Sequence, residues 1–107
     1  MPILPYVFVT REAIDAEVKR FIASLGPEVV RVNYKVGEDS VGDPAIHFWI
    51  VLDDAAVKRD SMSNVAGSVR KAIDEQLDPL SKWGLFAFPT FRVASSSKRA
   101  RYEPEWA

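Results

Sequence analysis

Residues 29–52 read Val29-Val30-Arg31-Val32-Asn33-Tyr34-Lys35-Val36-Gly37-Glu38-Asp39-Ser40-Val41-Gly42-Asp43-Pro44-Ala45-Ile46-His47-Phe48-Trp49-Ile50-Val51-Leu52. From Val29 to Val36, apolar Val30, Val32, Tyr34 and Val36 alternate with polar Arg31, Asn33 and Lys35, the pattern of a strand with one buried face. From Ala45 to Leu52 both faces are apolar or aromatic, with Ile46, Phe48, Ile50 and Leu52 on one and His47, Trp49 and Val51 on the other. Such a strand is central, or covered on its second side as well. Gly37 to Pro44 between them is turn chemistry: glycines, carboxylates suited to Asx turns, and a proline before the next strand. The segment predicts a hairpin whose loop is longer than most hairpins use.

On the N-terminal side, Tyr6 to Thr10 predicts a short strand entered at Pro5. Thr10 is placed to cap a helix whose Ile14, Val18, Phe21, Ile22 and Leu25 share one stripe, and Gly26-Pro27 ends it. On the C-terminal side, Met62, Val65, Ala66, Val69, Ala72, Ile73, Gln76, Leu77 and Leu80 form the longest helical stripe in the chain, predicting one helix over 60–81. Leu85 to Val93 predicts a further strand, and Pro89 in its middle places it at an edge or a bulge. Strand, helix, strand, strand, helix, strand is the ferredoxin-like β-α-β-β-α-β order, a two-layer α+β sandwich with two helices on one face of an antiparallel sheet. Without the first strand it becomes α-β-β-α-β. Either way, one sheet face has no helix over it.

At 107 residues the chain suits a single domain, expected over 1–94 with a tail over 95–107. Apolar residues at 48% and charged residues at 27% exclude wholesale disorder, and a formal charge of -1 supplies no global attraction to nucleic acid or anionic lipid. Cysteine is absent, which removes thiolate catalysis, disulfides and Cys-based metal sites and suits a reducing cytosol. The N-terminal run lacks a basic leader before Arg11-Glu12, and no apolar stretch reaches membrane-spanning length, so a cytoplasmic protein with no membrane partner is expected.

Several groups could carry chemistry. Glu38, Asp39 and Asp43 are hard oxygen ligands on a glycine-bearing loop, the type that Mg²⁺ or Ca²⁺ takes, although their spacing is not that of an EF-hand. His47 is the only histidine, and it could pair with Asp39 or Asp43 as a base and its orienting carboxylate. Asp53-Asp54 reads as a strand-ending turn. Lys98, Arg99 and Arg101 could meet phosphate beside aromatic residues of an open sheet, which suggests single-stranded nucleic acid. No phosphate loop, zinc pattern or nucleophile elbow is present, so nothing argues for an enzyme, and no cofactor is implied.

The stretch from Gly37 to Ile46, followed by Phe48-Trp49-Ile50-Val51-Leu52-Asp53-Asp54, resembles a pattern of small uncharacterised bacterial α+β proteins of about this length. In topology the chain is similar to ferredoxin-like regulatory domains, such as the cytoplasmic domains of cation-efflux transporters and amino-acid-sensing modules, which implies a fold and transfers no function. The leading expectation is a bacterial, homodimeric protein-interaction domain. Its interaction face comprises His47, Trp49, Val51, Phe86 and Phe88. A metal-binding module or metal-dependent enzyme using the 38–43 loop is the first alternative, and nucleic-acid binding the second.

Overall fold

The computed structural model describes residues 11–97. In order these form α1 (Arg11–Ala23), β1 (Val29–Glu38), β2 (Pro44–Leu52), α2 (Asp54–Asp60), α3 (Met62–Ala72) running into a π-helical turn (Ile73–Leu77), α4 (Pro79–Trp83), β3 (Phe86–Val93) and α5 (Ala94–Ser97). The strand expected over Tyr6 to Thr10, the Thr10 cap and most of the expected tail lie outside the described residues.

Among the described residues the sheet has three strands, in the order β1-β2-β3. β1 and β2 are the antiparallel hairpin, and β3 pairs along the whole of its length with β2 in parallel, Ala45 opposite Phe86 and Leu52 opposite Val93. The sheet is therefore mixed, a correction to the antiparallel sheet expected from the sequence. A ferredoxin-like sheet inserts another strand between these two parallel strands. Here continuous β2–β3 pairing occupies that place, and the α2-to-α4 segment supplies the long crossover that adjacent parallel strands require. The described elements thus follow the α-β-β-α-β alternative, with three departures: an unexpected α2 precedes the helix expected over 60–81, that helix is divided into α3, the π turn and α4, and α5 follows β3.

β1 and β2 both extend further toward the turn than their side-chain patterns indicate, leaving residues 39–43 as the loop. Asp39 organises it: its backbone N–H donates to the Asp43 carbonyl at 2.8 Å, and its Oδ1 accepts the N–H groups of Val41 and Asp43, each at 2.9 Å. Gly42, at φ 87°, takes the left-handed position that a side chain would resist. At the other end of β1 a bulge between Val29 and Arg31 alters the expected alternation. Val29 packs on the core in place of Val30, which is exposed.

The long stripe is core as far as Leu77, with Val65, Val69, Ile73 and Leu77 all buried, but it does not belong to one helix. Ser61 (φ 79°) breaks the chain between α2 and α3. The π turn then closes with the Asp78 N–H donating to the Ile73 carbonyl, and Asp78 enters the left-handed region at φ 49°. This turn re-aims the chain so that Leu80, on the same stripe by count, faces solvent, while Trp83 and Leu85 go inside.

One apolar cluster joins Ile14, Val18 and Phe21 of α1 and the buried faces of α2, α3 and α4 to Ile46, Phe48, Ile50 and Leu52 of β2. These helices all cover one face of the sheet. Across this interface Tyr34 of β1 donates its hydroxyl to Asp15 Oδ1 of α1 at 2.7 Å, and Arg11 meets the same oxygen at 3.2 Å. The hydrogen bond from Tyr34, reinforced by Arg11, holds the Asp15 carboxyl below its usual range. Burial, then the bond to Asp15, pushes the Tyr34 phenol up to about 12.

Candidate functional site: the helix-free sheet face

In a strand the residues opposite the core set point to the other side. In register across the sheet, that side carries the rows Arg31-Val51-Arg92, Asn33-Trp49-Thr90, Lys35-His47-Phe88 and Gly37-Ala45-Phe86. Cations and small polar groups stand on the two outer strands. Aromatic groups fill the middle and the β3 side. No carboxylate occurs in these rows, although the chain as a whole is slightly acidic.

The aromatic groups form a continuous set. The His47 ring lies 5.5 Å from Phe88 at 22° and 6.0 Å from Trp49 at 25°, so the three rings are nearly parallel. His47 Nε2 is 3.1 Å from the Glu38 carbonyl oxygen. A carbonyl can only accept, so this nitrogen carries the proton, and the bond fixes the ring against the end of β1. Phe86 and Phe88 remain 43% and 41% exposed, a large apolar surface to leave in water.

Of the interaction face expected from the sequence, His47, Trp49, Phe86 and Phe88 are brought together here. Val51 shares their side but is only 2% exposed, because it packs with Trp49 and Ala94 as α5 folds over that end of the sheet. Asp54 reinforces this cover: its Oδ1 accepts from the Ser95 N–H at 3.3 Å and from the Ser95 hydroxyl at 3.2 Å. Its neighbour Asp53 caps α2, accepting the Ala56 N–H at 3.1 Å. The strand-ending turn expected at these two aspartates is instead a helix cap and a tether.

The loop acids do not assemble a site with His47. Asp39 Oδ1 serves the loop backbone, and the His47 bond goes to the Glu38 carbonyl rather than to Asp39 or Asp43. Among the described residues, no group of three or more His, Asp or Glu side chains is placed to hold a metal ion. Lys98, Arg99 and Arg101 lie outside the described residues.

One feature of this region escaped the sequence reading. A groove of about 350 Å³ runs along the outer side of β3, lined by Asp74, Asp78, Pro79, Leu80, Leu85, Phe86, Ala87 and Phe88. The pair Asp78-Pro79 is an N-cap followed by a proline in the first helical turn, a legible start signal for α4 that a single long stripe hides.

No protein-family model matches the chain, and neither a curated protein nor a solved structure matches it. Among the described residues no helix is long and apolar enough to cross a membrane.

Proposed function

We propose that the protein is a non-enzymatic interaction domain that pairs with a second copy of itself through the helix-free sheet face. The observation that carries this is the stacked ring set of Phe88, His47 and Trp49, with Phe86 beside it, on a face that the helices of the main core leave open. Aromatic side chains at the centre of a patch, with cations and hydroxyls around it, are the composition of an association surface, and two-fold self-pairing is the commonest use of one. The bacterial and cytosolic setting suggested by the loop resemblance and the cysteine-free composition belongs to the same proposal.

Sedimentation velocity at tens of micromolar tests it. The protein should sediment as a dimer, Trp49→Ala and Phe88→Ala should each shift it toward monomer, and Asp39→Ala with Asp43→Ala should leave it dimeric. A monodisperse wild-type monomer refutes the proposal. Heat on calorimetric titration with Mg²⁺ or Ca²⁺, lost in the double aspartate variant, would favour the metal-binding alternative instead.

A further inference from the structure

We propose that the outer edge of β3 is a strand-addition site for a short extended segment in which apolar and basic side chains alternate. Among the described residues β3 pairs on one side only, with β2. The groove along its other side has walls from both faces of the sheet: Phe86 and Phe88 from the helix-free face, and Leu80 with Asp74 and Asp78 from the helical layer. Leu80 is 52% exposed. A cleft floored by a strand edge and walled on both sides is the geometry that receives an added strand.

The backbone sets the reach of the site. The Leu85 N–H donates to the Pro79 carbonyl of α4 at 3.2 Å, which directs it away from β2. By the two-residue alternation of a strand, Ala87 directs its N–H and carbonyl to the same side. Pro89, next in that series, has no N–H to offer, so the row of donors stops and the ladder is confined to the first half of β3. The same proline keeps the remainder of the edge from templating longer sheets.

The chemistry of the occupant follows from the walls. Side chains of an added strand point alternately to the two faces. Those on the helix-free side meet Phe86 and Phe88, which takes apolar or aromatic groups. Those on the other side meet Leu80 and the carboxylates of Asp74 and Asp78, which takes a lysine or arginine whose alkyl stem lies on the leucine. Asp78 Oδ1 also accepts the Ser81 N–H at 3.4 Å as the cap of α4, and the residue lines the groove.

The test uses the full chain and a fluorescein-labelled acetyl peptide, Lys-Phe-Lys-Val-Lys-Phe, followed by fluorescence anisotropy in low salt. Saturable binding is expected. Asp74→Asn with Asp78→Asn, which keeps a capping side chain, should weaken it about fivefold. Leu80→Lys should weaken it further. The peptide itself supplies a control independent of protein folding: N-methylation of alternate residues on one edge should abolish binding, and on the other edge should leave it intact. Equal binding of both methylated peptides overturns the proposal. So does equal binding of the Glu-for-Lys peptide, or no anisotropy change up to about 1 mM. Phe86 and Phe88 belong to both surfaces, so Trp49→Ala, which releases them from the dimer, should shift self-association without weakening peptide binding. A Trp49→Ala monomer that no longer takes the peptide overturns the proposal, whereas a wild-type monomer that does take it overturns only the dimer. Displacement of the peptide by oligo-dT would assign the groove to nucleic acid and also overturn the proposal.

Discussion

Replacing Tyr34 by Phe removes one hydroxyl and little else, and that hydroxyl donates to Asp15 at 2.7 Å across the junction of β1 with α1. A hydrogen bond to a charged acceptor contributes about 1.5–3 kcal/mol when fully enclosed. The Asp15 side chain is 33% exposed, so water replaces part of the interaction and about 1–1.5 kcal/mol is the expected loss. In a domain of this size that lowers Tm by roughly 5–8 °C. A double-mutant cycle with Asp15→Ala should return a coupling of about 1 kcal/mol, since the Arg11–Asp15 contact is lost in both backgrounds containing the alanine and cancels. The acid dependence has a definite sign. The folded-state pKa of Asp15 lies below its unfolded value, so the stabilisation is present above the unfolded pKa and is lost as pH falls through the folded one. Tyr34 is shifted the other way, so its contribution is complete below its unfolded pKa near 10 and disappears as pH rises toward about 12. Urea denaturation from pH 7 downward should show the Tyr34→Phe penalty shrinking below pH 4. A penalty that stays constant with pH, or a coupling indistinguishable from zero, refutes the reasoning.

Ser61 at φ 79° and ψ 154° occupies a region that glycine tolerates and other residues enter at about 1–3 kcal/mol. Ser61→Gly also removes the hydroxyl that accepts the Asn64 N–H and adds unfolded-chain freedom. Those losses come to about 1 kcal/mol, so the net effect should be a modest gain visible as a higher urea midpoint, and a lower midpoint would count against the strain. Asp53→Ala should cost about 1 kcal/mol through loss of the α2 cap, whereas Asp53→Asn should be nearly neutral. Equal destabilisation by both would show that charge, not capping, is what Asp53 supplies.

The local elements were written plainly in the chain. The stripe of Ile14, Val18 and Phe21 and the alternation of Ile46, Phe48, Ile50 and Leu52 mark the buried faces of α1 and β2, because period alone decides which side meets the core. The same parity placed His47, Trp49, Phe86 and Phe88 together. What period cannot register is a change of phase. The bulge beside Val30 and the π turn before Asp78 each insert or rotate one step, and each moves a side chain that a regular count misplaces, whereas the break at Ser61 leaves the stripe from Met62 to Leu77 in phase and only separates α2 from α3. Strand order was illegible for a different reason: any sufficiently long helical connection permits a parallel neighbour, and nothing local in Phe86 to Val93 states which strand it joins. The burial of Val51 depends on Ala94, a contact between distant parts of the sequence that composition does not announce.

The parallel pairing of β3 also bears on the order of events when the chain folds. The β1–β2 hairpin closes through a five-residue loop, and such pairing is complete within microseconds. β3 has to wait until the segment from Asp53 to Leu85 has collapsed over the opposite face, so its contacts are the non-local ones that slow a folding reaction. Until then β2, the most apolar of the described strands, has a side that β3 has yet to pair. The interval before β3 docks is therefore when a newly made chain is most exposed to pairing with its neighbours, and it ends only once β3 has been synthesised and seated.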